Sequence, residues 1–405
     1  MINPKTKERE LAYVVKIDAI EPIVGSDNCE AAIVGGWKIM VRKNTYIPGS
    51  IAVYFEIDSK LPETAEWAQF LASKHYKVKT QKYTFGGKGN FISQGLLVSF
   101  EDLGWEMDEH ELGDFVTKEL GVVYSVADDN KRKSTVNKYA RMKQRNAKLF
   151  EKYKFLNKMY KSDFGKKILF LFLGRRKDAR ASFWPSWVVK TDEERVQNLP
   201  QLFPPDNTEW FVTEKIDGTS TTFTMKKGKR KKYEFYVCSR NVCFDKPEKE
   251  CFYETNVYTE MAEKYDIEKV LYDLLYNTKG LSEFLDYVTL QGETYGKGVQ
   301  NRDYHMNNVD FKAFNLIYGD KEFGPRRLNP REMTDVLNKY NIPCVPILDE
   351  HFKLPNTIDE MVEYAAGDSV VDGDYREGVV LRTYDGVNSF KAVSNVYLTS
   401  KYGNN

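Results

Sequence analysis

The first ~120 residues are cut into short apolar pieces by turn signals, which limits what they can form. Apolar runs cover 11–20, 31–34, 37–41, 51–57 and 91–100. Gly25-Ser26-Asp27-Asn28, Gly35-Gly36 and Pro48-Gly49 stand between the first four. Runs of this length with turns at this spacing read as the strands of a small β-barrel. The pattern fits an OB fold, and periodicity alone does not separate that from an SH3-like barrel.

The next stretch is of another kind. Residues 131–180 hold 18 Lys and Arg against three acids, Glu151, Asp163 and Asp178. The block therefore carries +15, and a net charge of +1 leaves 1 − 15 = −14 for the rest. Residues 128–178 contain no proline, and Leu149, Tyr153, Leu156 and Tyr160 recur at helical spacing. The segment reads as a basic helical linker or insertion. A solvated linker and an arm that contacts a polyanion both fit it. Thr191-Asp192-Glu193-Glu194 then reads as a helix N-cap with acids in the first turn. Beyond Trp210 the pattern is mixed, with helices expected over 256–276, 330–340 and 358–366.

Two common site types are not expected. The five cysteines form no CxxC pair and the four histidines no HxxxH, so a structural zinc site has no ligand spacing. The apolar run 168–173 is too short to span a bilayer, so no membrane partner is expected. The polar start, Met1 to Glu10, and the cysteine pattern fit a protein of a reducing cytoplasm.

The chemistry-bearing strings follow Trp210. Glu214-Lys215-Ile216-Asp217-Gly218-Thr219-Ser220 comes after the apolar run Trp210-Phe211-Val212. A strand ending in lysine and then a glycine turn can present an amine to a phosphate. Ser239-Arg240-Asn241, Gly292-Glu293, Phe311-Lys312-Ala313-Phe314, Glu377-Gly378-Val379-Val380 and Ser389-Phe390-Lys391 follow in that order. Each is weak alone, since strand-end acids are mostly solvated and aromatic strands mostly core.

Taken in order, these six strings resemble the covalent nucleotidyltransferase superfamily of DNA ligases, RNA ligases and mRNA capping enzymes. Residues 46–59 and Ile92-Ser93-Gln94-Gly95-Leu96-Leu97 look like the N-terminal OB domain of the family-five RNA ligases. Residues 190–195 and Asn198-Leu199-Pro200 are similar to the entry of their catalytic domain. The resemblance implies an α+β protein with three parts: an OB-like β-barrel domain over 1–125, the basic linker over 126–185, and a nucleotidyltransferase domain of antiparallel sheets and helices over 186–405.

It also implies an ATP-dependent RNA ligase. Lys215 would take AMP from ATP and pass it to a 5′-phosphate end, which a 3′-OH then attacks. Asp217, Glu293 and Glu377 would hold Mg²⁺ or Mn²⁺ directly or through water, and metal beside Lys215 would lower its pKa. Lys391 would sit on the α-phosphate and Arg240 on ribose or phosphate. Glu214, Gly218 and Ser220 belong to the nucleotide pocket. Phe314 is the expected adenine-stacking ring, with Phe311 the alternative. The implied partner is RNA, or an RNA-containing duplex, with 3′-OH and 5′-phosphate ends, and the expected state is a monomer.

Two positions depart from the family pattern. Ser389 stands where many members carry a second lysine, which leaves one cation to be made up by Arg382 or by the OB domain. Asn315 stands where Asp is common. A DNA ligase, a GTP-using capping enzyme and a non-catalytic RNA-binding OB protein are the competing readings. The first two usually carry a further OB domain after the last motif, whereas this chain ends 14 residues after Lys391. The lysine, tyrosine and asparagine richness would suit a phage protein acting in host cytoplasm.

Overall fold

The computed structural model describes residues 1–87, 89–125, 143, 147–173, 184–228, 232–240, 242–244 and 256–400. Asn241, Cys251 and the greater part of the basic block outside 147–173 lie beyond the described residues.

The N-terminal domain contains β1 (Ala12–Lys16), β2 (Ala19–Pro22), β3 (Cys29–Val34), β4 (Trp37–Arg42), β5 (Ile51–Phe55) and β6 (Ser59–Lys60). After a 3₁₀ helix at Glu66–Lys74 come β7 (Gln81–Thr84), β8 (Asn90–Ser93), β9 (Leu96–Val98), α1 (Phe100–Leu103) and β10 (Val123–Tyr124). The strands pair as β1–β5–β9 and β2–β3–β4, with two small ribbons, β7–β8 and β6–β10. This differs from the single closed barrel expected from the strand spacing. The run 91–100 is not one strand either. Gly95 breaks it at φ +95°, and a Cβ there would meet the Tyr54 ring at 2.3 Å.

β1 and β5 are apolar on both faces because both faces are covered. Ala12, Val14, Val53 and Phe55 point into one core, and Tyr13, Val15, Ala52 and Tyr54 into another.

Three helices follow: α2 (Ala147–Lys152), α3 (Lys154–Tyr160) and α4 (Asp163–Leu173). They close a small core of their own on Phe150, Leu156 and Leu169. Among the described residues no helix is long and apolar enough to cross a membrane.

The C-terminal domain holds two antiparallel-dominated five-stranded sheets. One runs β11 (Glu194–Arg195), β20 (Ser389–Val393), β19 (Gly378–Thr383), β12 (Glu209–Lys215) and β18 (Ile347–Lys353) across the sheet. The other runs β14 (Tyr233–Cys238), β13 (Thr219–Lys227), β15 (Leu285–Gly296), β16 (Val309–Asp320) and β17 (Gly324–Arg327). The period of two sorts their side chains. Trp210, Val212, Phe390 and Ala392 share a core with Met361, Val362 and Ala365 of α8 (Ile358–Ala365). Lys215 and Lys391 therefore fall on the opposite face. In the second sheet, Phe223, Val288, Leu290 and Phe311 pack on α5 (Val257–Lys264), α6 (Ile267–Tyr276) and α7 (Pro330–Leu337). Ser220, Thr222 and Thr224 alternate with the apolar residues and face the other way.

Local capping explains the helix starts. Asn329 with Glu332 and Thr357 with Glu360 form capping boxes for α7 and α8. The helix expected over 256–276 is broken at Asp266, which adopts a left-handed φ of +49°. A last short helix, α9 (Asn395–Thr399), follows β20.

No helix starts at Thr191. The segment is extended into β11, which pairs parallel with β20. The reason is electrostatic: cations of other elements take the Asp192 and Glu193 carboxylates that a helix N-terminus would have used.

A buried polar seam joins the two domains. Glu56 accepts from Arg9 Nη1 at 2.8 Å and from Asn198 Nδ2 at 2.8 Å, and it also meets the Met1 ammonium. Asn198 Oδ1 accepts from Trp37 Nε1 at 2.6 Å, and Arg195 Nη2 donates to Asp58 at 3.0 Å. Burial alone would raise the Glu56 carboxyl, but the Met1 ammonium and Arg9 outweigh it and hold it down at about 2.

The folded pKa lies below the ordinary value of 4.5, so this contribution is complete above 4.5 and is lost as pH falls towards 2. Glu56→Gln should cost roughly 3 kcal/mol at neutral pH, the scale for breaking a buried ion pair. Denaturation series at several pH values check this, and the gap between variant and native protein should close as acid is added.

Candidate active site

The two sheets meet with their polar faces inward, and the motif residues gather there. Lys215 ends β12 opposite Gly378, the first residue of β19. That register sets Glu377 beside it, with Lys215 Nζ 2.7 Å from Glu377 Oε2. Glu293 enters from β15, whose register pairs it with Ser220. The turn between β12 and β13 must pass very close to β15. A Cβ on Gly218 would lie 2.4 Å from Thr294 O and 2.9 Å from Glu293 Cγ, so only glycine fits.

The electrostatics of this group are unbalanced. Burial pulls the Lys215 ammonium down, but Glu377, Glu293 and Asp217 more than reverse that, and its pKa is raised. Without metal, the lysine is thus held protonated. Burial, then the field of Glu377, pushes Asp217 up to about 7. Burial pushes Glu293 up to about 8, with Glu377 and Asp217 adding to it and Lys215 opposing. Buried acids that resist ionising this way suit a cation. The oxygens of Asp217, Glu293 and Glu377 do not lie within 4.8 Å of one another, so an ion would be held partly through water. The one triad of described residues that does meet that spacing is His305, Asp372 and Asp374, and Asp372 is already paired with buried Arg302.

Two tyrosines that the sequence did not single out hold Asp217. Tyr397 OH donates to Asp217 Oδ2 at 2.5 Å, and the Asp217 N–H donates to Tyr304 OH at 2.7 Å. The carboxylate is therefore fixed from α9, about 180 residues further along the chain.

The second half of the site is cationic. Asp192 receives Lys391 Nζ at 2.8 Å, Arg240 Nη2 at 2.8 Å and Arg9 Nε at 2.8 Å. Three cations share this one carboxylate, and Arg9 is shared in turn with Glu56 and Glu194. Burial pushes the Lys391 amine down to about 8, aided by Arg9, Arg195 and Lys215 and opposed by Asp192. Arg195 Nη1 is buried close by and has no hydrogen-bond partner. A polyphosphate is the natural guest for such a cluster.

Arg9 also answers the question that Ser389 raises. Arg382 does not reach this cluster, because it is buried against Glu193 at 3.2 Å. Ser389 bonds the same Glu193 and accepts from Arg327 Nη1 at 3.2 Å. The extra cation comes from Arg9 of the N-terminal domain. Asn315 has a local reason too. Its Nδ2 donates to Gln291 Oε1 at 3.0 Å, and Gln291 Nε2 donates to Val189 O at 2.8 Å, a relay that a carboxylate could not continue.

The remaining predicted residues fall as follows. Ser220 Oγ lies 2.6 Å from Thr191 Oγ1. Phe311 is fully buried against Phe223 and cannot meet a ligand. Phe314 is half-buried, in a small apolar group with Ile216, Tyr295, Tyr304 and Val345 beside the Lys215 turn. Both Glu214 oxygens are engaged by Ser369 and by the Val370 N–H, so Glu214 orders that loop.

Residues 208–393 match the RNA ligase family model, and residues 11–99 match an OB-fold domain model. No curated protein matches the chain. Among solved structures, a Naegleria gruberi RNA ligase with PPi is 25% identical with a TM-score of 0.71, covering 96% of this chain and 98% of that one. A single-residue variant of the same ligase with ATP and Mn is 25% identical with a TM-score of 0.71, covering 98% and 100%. Another variant, with AMP and Mn, is 25% identical with a TM-score of 0.70, covering 96% and 98%. The chain thus carries a stretch that matches an OB-fold domain followed by one that matches the RNA ligase family, and its fold is similar to that of these RNA ligase structures.

Arg9→Ala removes one charge-assisted contact and should weaken pyrophosphate binding about 10-fold. Asp192→Asn removes the anion that holds the three cations together and should weaken it as well. Titration calorimetry with pyrophosphate measures both, and equal affinities for all three proteins would contradict the cluster's role.

Proposed function

We propose that this protein seals RNA strands with ATP, through an AMP carried on Lys215. The observation that carries the reading is the position of Lys215. It ends a strand, touches Glu377, and lies within electrostatic reach of Lys391, which shares Asp192 with Arg9 and Arg240. An amine beside a phosphate-binding cluster is what covalent nucleotidyl transfer requires.

Three steps follow. The Lys215 amine attacks the α-phosphorus of ATP, a P–N bond forms, and the bond to the β-phosphate oxygen breaks to release pyrophosphate. A 5′-phosphate oxygen of RNA then attacks the same phosphorus, and the P–N bond breaks to return the amine. A 3′-OH finally attacks the RNA 5′-phosphate, AMP leaves, and the hydroxyl proton passes to the medium.

The chain's own groups supply position and charge. Lys391, Arg240 and Arg9 neutralise the oxygens on which charge builds up. Lys391 is near enough for its charge to feel that of Lys215. Tyr397 and Tyr304 hold the Asp217 turn, and Phe314 supplies a ring for adenine. Mg²⁺ or Mn²⁺ would be held by Asp217, Glu293 and Glu377, and supplies positive charge that offsets the field keeping Lys215 protonated. The ATP, AMP and Mn of the similar ligase structures support this nucleotide and metal class. The reading extends to RNA repair by a monomer in a cytoplasm, with 3′-OH and 5′-phosphate ends as substrate.

Incubation with α-labelled ATP and metal should leave label on the denatured protein, and label from GTP should not stay. Lys215→Ala should abolish the adduct yet still seal RNA supplied with a 5′-adenylate, because the last step does not use the amine. Lys391→Ala should slow adduct formation by about 10² to 10³. An adduct that persists without Lys215 overturns the reading.

A further inference from the structure

The ligase chemistry gives no task to helices α2–α4. They lie outside both matched spans, and their inward residues account only for their own small core. Their outward residues are unusual. Lys152, Tyr153, Lys154 and Phe155 are four consecutive exposed residues, alternating cation and ring. Lys158, Lys161, Phe164 and Lys167 continue the exposed set. Phe155 is 60% exposed and Phe164 76%, too much for rings that serve a core. Lys152 Nζ lies 5.3 Å from the Tyr153 ring, and the Tyr153 and Phe155 rings are 6.2 Å apart, edge to face. Across 147–173 seven lysines stand against two acids, Glu151 and Asp163.

We propose that α2–α4 form a docking surface for an unpaired stretch of the RNA being joined. That the polyanion is RNA rests on the ligase reading above, while the surface chemistry selects the single-stranded form. Lysines neutralise phosphates of any nucleic acid, but rings stack on bases only where the bases are free. A duplex offers the phosphates and hides the bases. A lipid surface would need an unbroken apolar face, whereas the exposed rings here stand among lysines, and Leu169 of α4 is buried in the helices' core with Leu173 packed against it. The surface holds RNA without reading its sequence and takes no part in AMP transfer to Lys215.

Binding of a fluorescein-labelled single-stranded RNA to the full-length protein, followed over a range of salt, tests this. Lys154→Ala/Lys158→Ala/Lys161→Ala should weaken binding by about 10-fold or more and reduce the salt slope by about 2, near 0.7 per lost phosphate contact. Phe155→Ser/Phe164→Ser should weaken it by about 10-fold with the slope unchanged. Both sets are exposed, so circular dichroism and lysyl-AMP formation should match the native protein. Unchanged RNA affinity in both variants overturns the proposal. So does equal loss on blunt duplex RNA combined with no effect of the ring variant. Sedimentation with phosphatidylserine–phosphatidylcholine vesicles, with RNA binding intact in the variants, would assign the surface to membrane and overturn it too. Absence of lysyl-AMP in the native protein would count against the ligase reading alone, since RNA binding is read separately.

Discussion

The carboxylate of Asp192 is the point on which the assembly turns. It joins Arg9 of the OB domain, Arg240 from the end of the second sheet and Lys391 of the first. Ion pairs at a surface contribute little, but those of Arg9 and Lys391 are largely withdrawn from water, whereas Arg240 is 40% exposed. Removing one partner would leave buried charges unmatched. The same contact that docks the domains thus holds three cations within reach of one guest. Burial tends to raise the Asp192 carboxyl, but Lys391 and Arg9 outweigh it, and its pKa is far below the usual range. The chain keeps a phosphate-binding cluster assembled by giving it an internal anion.

The reactive half of the cleft is weighted towards negative charge. Three acids surround one lysine, and two of them are pushed towards neutrality. The acids around Lys215 and the cations around Lys391 lie within electrostatic reach of one another. A nucleotide with its metal complements both, with phosphates towards the cations and metal towards the acids. Such an arrangement is stable only where the folded scaffold fixes the groups, here two five-stranded sheets with cores on their outer faces. The cost in stability of crowding like charges is the usual mark of a functional site.

Much of this was legible from residues alone, for a specific reason. Each motif sets a polar residue in or beside a strand-like apolar run, which is weak singly, and the order of the strings with the resemblance it carries is what marks the residues out. Lys215, Glu293, Glu377 and Lys391 are found that way. Contacts between distant segments have no such signal. Arg9 looks like one more charge in a polar N-terminus, and Tyr304 and Tyr397 are two of 26 tyrosines, so nothing local sets them apart. Asp192 was misread as a helix start because an acid cluster after threonine is also what a capping sequence looks like. Phe311 and Phe314 differ by three positions in one strand and so face opposite sides. The sequence shows that they differ, but only the packing of α5–α7 shows which face is the core. The single barrel expected at the N-terminus failed for a related reason. Strand length and turns are local, while sheet closure depends on pairing across the domain.

The account centres on Lys215 as the residue that takes the nucleotide. Peptide mass spectrometry of the protein after exposure to ATP and Mg²⁺ tests this most directly. The account predicts the mass of one AMP on the peptide containing Lys215, with the lysine itself as the modified position. AMP on Lys391 or another lysine, or no modified peptide from a protein first treated with pyrophosphate to remove resident AMP, would contradict it.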